Sequence, residues 1–274
     1  MFLKCKMKFK EFKRIAQGKK LERTKRKKAW WHSPAHFISP FITWILVKTP
    51  ITANFVTVFG IVIGLIGLLL IGLGSNFFII LGFILLYLYY LSDEVDGEIA
   101  RYKKQISLRG IYYDEIGHLI FLGWFFFAIG YSIYNINTEF LYIILGAVAS
   151  YLLLGVRVIR KIAIIASTKS EIRNIINQKV ESNELQSSKK GFIKSIKGLI
   201  INLVNAFSHP YIIITVFFIG FILYMNFGYL QILELIMIVY TIFMFIVFTS
   251  FIIIKFKTFE KDIIKIFQSA NIYD

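Results

Sequence analysis

An all-α, polytopic membrane helix bundle is the fold class this sequence predicts, and three observations carry the prediction. Apolar runs of about twenty residues recur along the chain, the length a helix needs to cross a bilayer. Hydrophobic residues make up 57% of the 274 positions, and the mean hydropathy of +0.67 is too high for a soluble domain. Lysine and arginine collect in alternate gaps between the runs and are missing from the others. The formal net charge of +16 would point to nucleic acid in a soluble protein. Here the membrane accounts for it, and no nucleic-acid partner is expected.

Six transmembrane helices are read, with bounds good to about three residues. The first covers 51–73 and stops at the turn Gly74-Ser75-Asn76. The second covers 77–91 and continues as helix past its apolar part to 102. The third covers 110–134 and the fourth 140–162. A polar, basic stretch over 167–197 precedes the fifth, 200–225, which has His209-Pro210 near its start. The sixth covers 230–254.

Charge orients the bundle. Lys48, then Lys103, Lys104 and Arg109, then Arg157, Arg160, Lys161 and Lys169, then Lys255, Lys257 and Lys261 all fall on one side. The opposite turns, around Ser75, 135–139 and 226–228, hold no Lys or Arg. The positive-inside rule then predicts both termini and the polar stretch in the cytoplasm.

The chain before the first span has its own pattern. Residues 1–28 are basic with interleaved Phe2, Leu3, Phe9, Phe12 and Ile15, which predicts a cationic amphipathic helix lying on anionic headgroups. The first thirty residues lack the apolar core of a signal peptide, so no cleavage is expected. Trp30-Trp31-His32 suits the interfacial aromatic belt. The run 36–47, interrupted by Pro40, is too short to span and reads as an interfacial helix. The expected organisation is a basic tail with interfacial helices over 1–48, a six-helix membrane domain over 49–258, and a cytoplasmic tail over 259–274. The single cysteine, Cys5, excludes a disulfide framework or a cysteine metal site within the chain.

The chemistry concentrates where the second and third spans meet the cytoplasmic side. Ionisable groups beside a span are costly and point to function. Asp93, Asp96, Gly97 and Ala100 share one helical face, with Arg101 beside it. Gly110, Asp114, Gly117 and His118 share a face on the next helix. If the two helices are antiparallel neighbours, the faces meet in a pocket of three carboxylates, an imidazole and little bulk. Three carboxylates in low dielectric repel unless a cation neutralises them. Oxygen ligands favour Mg²⁺ or Mn²⁺, and such ions receive phosphate oxygens. The small Gly97 and Ala100 leave room for a flat or bulky ligand against the helix.

The pattern Asp93-x2-Asp96-Gly97-x2-Ala100-Arg101-x8-Gly110-x3-Asp114-x3-His118 closely resembles the signature of the CDP-alcohol phosphotransferase (phosphatidyltransferase) family. Seven of its eight positions match, and the family's fourth Asp is replaced by His118. Asn54-Phe55-Val56-Thr57 is similar to the family's Pro-Asn-x-x-Thr, with Ala53 in place of proline. The resemblance implies six membrane helices and transfer of a substituted phosphate from a CDP-alcohol, such as CDP-diacylglycerol, to an acceptor hydroxyl. CMP is the implied leaving product, and phospholipid or related phosphodiester synthesis the implied setting. It implies two Mg²⁺ or Mn²⁺ ions held by Asp93, Asp96, Asp114 and the substituted His118. It implies a CDP site formed by Asp93, Gly97, Ala100 and Arg101, and catalysis by Asp114 and His118. It also implies a homodimer. Neutral imidazole can serve as the general base that the fourth Asp provides, but it is a weaker ligand for Mg²⁺. Glu115, three residues before His118, is a candidate to orient it or to replace the missing ligand. Altered or lost catalysis is the alternative that His118 raises. A transporter or a non-catalytic lipid-holding scaffold are the readings outside enzymology.

Other features take plainer readings. Glu94 and Glu98 fall on another face and are expected to meet solvent or Lys103 and Lys104. Arg157, Arg160 and Lys161 read as an orientation anchor, with phosphate binding by an inward arginine as the sharper alternative. His209 reads as an interfacial helix start rather than a residue of the pocket. Tyr87, Tyr89, Tyr90, Tyr112 and Tyr113 read as mostly interfacial or lipid-facing. Gly60, Gly64 and Gly67, and likewise Gly146, Ala149 and Ser150, form close-packing seams, one of which could serve the dimer. Glu234 carries no functional reading. The acceptor stays open among glycerol phosphate, inositol phosphate, serine and a lipid hydroxyl.

Overall fold

The apolar runs fold as helices whose ends are set by the polar residues between them. The computed structural model of the chain describes residues 8–27, 34–167 and 209–270. The basic stretch 167–197, Trp30-Trp31-His32 and the expected start of the fifth span at 200 lie outside those residues, apart from Ser167. Eight helices are described: α1 (Phe9–Lys27), α2 (Pro34–Leu46), α3 (Ala53–Gly72), α4 (Asn76–Tyr102), α5 (Leu108–Asn137), α6 (Leu141–Ser167), α7 (Pro210–Phe227) and α8 (Leu230–Ala270). Six, α3 to α8, contain stretches long and apolar enough to cross a membrane.

Side-chain caps define the helix starts. The Thr52 hydroxyl accepts from the Phe55 amide at the start of α3, and the Ser107 hydroxyl accepts from the Gly110 amide at the start of α5. His209 occupies the cap position of α7, with Pro210 at the first turn, where its missing N–H costs nothing. The helix of the sixth span extends well past the apolar stretch, to Ala270.

The main helix contacts close into a ring. α3 packs on α4, α4 on α7, α7 on α8, α8 on α6, α6 on α5, and α5 back on α3. Aromatic side chains fill the centre. Phe125 and Phe126 of α5, Phe217 of α7 and Tyr240 of α8 are buried and in mutual ring contact. Tyr89 and Tyr90 are also buried, against the expectation that these tyrosines face lipid. Tyr89 stacks on Phe121 with ring centroids 5.6 Å apart, and the Tyr87 hydroxyl donates to Thr215.

Both small-residue seams work inside the chain, which corrects their reading as a possible dimer surface. Gly60 faces Ser92, Gly64 faces Tyr89, and a β-carbon on Gly82 would lie 2.6 Å from the Gly67 carbonyl oxygen. The α3–α4 backbones therefore approach as only glycines allow. Gly146 abuts the Phe126 backbone, Ala149 is fully buried, and Ser150 accepts from the Phe127 amide.

The N-terminal helices dock on α4. Phe12 and Ala16 of α1 are buried, and Phe12 packs on Tyr102. The apolar face of α1 thus packs on protein, where the pattern alone predicts a helix lying on anionic headgroups. α2 runs through Pro40 unbroken. It exposes Phe37, Phe41 and Ile45 along one stripe and buries Ser39 and Thr43 on the other, the amphipathic form of an interfacial helix.

Candidate active site

α4 and α5 are joined by the short segment 103–107, and their facing ends enclose a cavity of about 370 Å³. From α4 it is lined by Asp93, Asp96, Gly97, Ala100 and Arg101, and from α5 by Gly110, Asp114 and His118. All eight signature positions are therefore brought together. α3 adds Ala53, Asn54 and Thr57.

Hairpin geometry is secured around this cavity. The Lys103 ammonium donates to the carbonyls of Thr49 (2.8 Å) and Ile51 (2.7 Å), tying the α4 end to the start of α3. Partial burial draws the Lys103 pKa below the usual lysine value. Asn54 lies 3.4 Å from the Ser107 hydroxyl, and a β-carbon on Gly110 would sit 2.8 Å from the Asn54 amide oxygen. α3 thus touches the first turn of α5 where any side chain at 110 would force them apart.

The acids divide into two settings. His118 Nε2 is 3.5 Å from an Asp114 oxygen and 3.7 Å from an Asp93 oxygen. Donor atoms of these three residues lie within 4.8 Å of one another. A divalent ion with ligands at about 2.0–2.2 Å brings neighbouring donors to roughly 3 Å apart, so small side-chain movements would let the trio chelate one. Two carboxylates and one imidazole also form a chemically suitable donor set. Asp96 lies in the same cavity outside this trio. Its Oδ2 accepts from the Thr57 hydroxyl at 2.5 Å.

Gly97 and Ala100 flank the cavity as expected, but the space over Gly97 is already shared. A β-carbon there would lie 3.1 Å from Arg101 Nη1. The missing side chain makes room for the arginine head.

Several expectations change. Glu115 does not turn to His118 or the trio. It pairs with Arg157 Nη2 at 2.9 Å and with Lys161, bridging α5 and α6. Arg157 and Lys161 are thus held beside the site by a carboxylate; the Arg160 side chain lies outside the described residues. His209 is away from the cavity lining and edges onto the Tyr90 ring. Glu234 accepts from the Asn137 amide at 2.7 Å and joins α8 to α5.

Glu94 and Glu98 are buried, not solvated, and this overturns their reading. Glu94 lies 3.9 Å from the His36 ring nitrogen. Glu98 accepts from Ser39 (2.8 Å), Thr43 (2.7 Å) and the Gln17 amide (3.2 Å). The signal was present in the sequence. Ser39 and Thr43 are four apart in an apolar helix, a polar stripe that needs a partner.

The sequence profile described as CDP-alcohol phosphatidyltransferase matches residues 50–181. That range contains every residue that lines the cavity. Residues 50–181 form a CDP-alcohol phosphatidyltransferase family region. A search of curated proteins finds no match to the chain. The match implies a membrane enzyme that transfers a phosphate group from a CDP-alcohol. CDP-alcohol phosphatidyltransferases use divalent metal, which agrees with the fit of the Asp93, Asp114 and His118 donors.

Proposed function

We propose that this protein passes a substituted phosphate from a CDP-alcohol to an acceptor hydroxyl at the α4–α5 cavity, in phospholipid or related phosphodiester synthesis. The observation that carries this is the meeting of Asp93, Asp114 and His118 beside Asp96 and Arg101 in one cavity. Asp93, Asp96, Asp114 and His118 are the residues to hold one or two divalent ions, and the nitrogen of His118 favours Mn²⁺ more than an all-oxygen set does. A metal held by these residues would offset pyrophosphate charge and stabilise the leaving phosphate. Gly97, Ala100 and Arg101 receive the CDP part, with the guanidinium placed for phosphate oxygens.

The acceptor oxygen attacks the β-phosphorus and forms the new P–O bond. The bond from that phosphorus to the bridging oxygen breaks, and CMP leaves with the electron pair. The acceptor's proton passes to His118 Nε2, as neutral imidazole is a competent base near neutral pH. Asp114, 3.5 Å away, stabilises the imidazolium. A second role for His118 is supported by its distance to both carboxylates: the same nitrogen could complete the metal shell. One nitrogen serves one role at a time, so the two readings are separable.

Helices α3 to α7 and the part of α8 up to residue 258 form the transferase body, residues 49–258, with the cavity at the cytoplasmic face. The clustering of Lys48, Lys103, Lys104, Arg109, Arg157 and Lys161 toward that end supports the orientation. The homodimer rests on the family resemblance alone and would use neither glycine seam.

Purified protein given Mn²⁺ or Mg²⁺ and a panel of CDP-alcohols with candidate acceptors should release CMP, read by mass spectrometry. No release from any donor would overturn the reading. His118→Ala should slow turnover by about 10²- to 10⁴-fold, and His118→Asp should retain more activity. If His118→Ala raises only the metal concentration needed, His118 is a ligand; if it stays fully active, neither role stands.

A further inference from the structure

We propose that the N-terminal helix α1 is a positioning element for Arg101, working through the Ala16 carbonyl and a Gln17–Glu98 latch. This rests on the reading above, in which Arg101 receives the phosphates of the donor.

Two features converge on that guanidinium. Arg101 Nε donates to the backbone carbonyl of Ala16 at 2.5 Å, across 85 residues of sequence. Arg101 Nη1 and Nη2 lie over Gly97, at 3.1 and 3.6 Å from where a β-carbon would be. With Nε taken by α1 and the fork seated on Gly97, the Nη donors are held at the cavity wall. A long, rotamer-rich side chain is thereby ordered before the ligand arrives, which removes part of the binding cost.

The carbonyl is available because α1 is broken beside it. Gly18 has φ +48° and ψ −138°, outside the helical region and in a region that residues with a β-carbon rarely adopt. The break interrupts the i to i−4 ladder near Ala16 and lets its carbonyl turn to Arg101.

Gln17 then fixes the arm. Its amide nitrogen donates to the His36 carbonyl at 3.0 Å and to Glu98 at 3.2 Å. Both partners are acceptors, so the amide orientation is determined by the network. Glu98 also takes the hydroxyls of Ser39 and Thr43, so one buried carboxylate gathers α1 and α2 onto α4. It stands three residues before Arg101, on the face turned away from the cavity. The two faces of α4 are thus linked, one binding the arm and the other presenting Arg101 under the arm's carbonyl.

The test uses the full chain with Gln17→Leu, Gly18→Ala and Arg101→Ala, alone and combined. Gln17→Leu and Gly18→Ala should each raise KM for the CDP-alcohol about tenfold, with the larger effect on KM than on kcat. In the Arg101→Ala background they should add nothing further, since the interaction they support is gone. A merely structural arm would give additive losses, and that result overturns the proposal. A second measurement does not need turnover. A spin label at Arg14→Cys, in a Cys5→Ser chain, should be ordered in the parent and loosened by Gln17→Leu and by Arg101→Ala. Unchanged mobility in both variants overturns the clamp. Absence of CMP release in the parent would count against the proposed function, while the label still decides the clamp.

Discussion

Replacing Thr57 by Val removes one hydroxyl at nearly constant volume and tests whether the site is organised from α3. Thr57 is buried, and its hydroxyl proton is directed to Asp96 Oδ2 at 2.5 Å, with the Ala53 carbonyl a longer alternative at 3.1 Å. Asp96 is itself 8% exposed, so water is poorly placed to replace the donor. A hydrogen bond to a charged acceptor contributes about 1.5–3 kcal/mol, which corresponds to roughly a 10- to 100-fold effect. If that bond orients Asp96 for metal or pyrophosphate, Thr57→Val should lower kcat/KM for CMP release by about that factor. The metal concentration for half-maximal rate should rise with it. Thr57→Ser keeps the donor and should recover most of the loss. Wild-type rate and metal dependence in Thr57→Val would refute the reasoning, as would equal losses in Val and Ser variants.

Three further outcomes follow from the same structure. Glu98→Ala leaves three buried donors without their acceptor, and should destabilise the docked α1 and α2 by about 3 kcal/mol; faster proteolysis of the N-terminal arm is the measurement. Gly82→Ala drives a β-carbon into the Gly67 carbonyl and should cost about 1–3 kcal/mol in detergent unfolding, whereas Gly72→Ala meets only Tyr131 at 3.7 Å and should be neutral or stabilising. Chelation of divalent ions should abolish CMP release, and Mn²⁺ should restore it at lower concentration than Mg²⁺, because one donor is imidazole; equal or reversed preference would count against His118 as a ligand.

The signature residues were legible because their spacing is local. Asp93, Asp96, Gly97 and Ala100 share a face by helical geometry, and so do Gly110, Asp114 and His118, so the cavity needed only that α4 and α5 be antiparallel neighbours. Glu94 and Glu98 were misread by the same logic. Facing away from the acids predicts contact with water, but α2 covers that face. Proximity along α5 points Glu115 to His118, whereas two cations on α6 hold it. The tyrosines of α4 could not be sorted by composition, since burial depends on which neighbouring helix lies over them.

Sequence by itself determined the class, the six spans, the charge asymmetry and the acidic faces of α4 and α5, because hydropathy, helical period and fixed motif spacing are properties of contiguous chain. Only the tertiary structure decided the ring order of the helices, the consumption of both glycine seams within the chain, and the gathering of residues 16, 17, 39, 43, 98 and 101. Those contacts join positions up to 85 residues apart. Their partners are selected by packing and by the need of buried polar groups for hydrogen bonds, which no local period encodes.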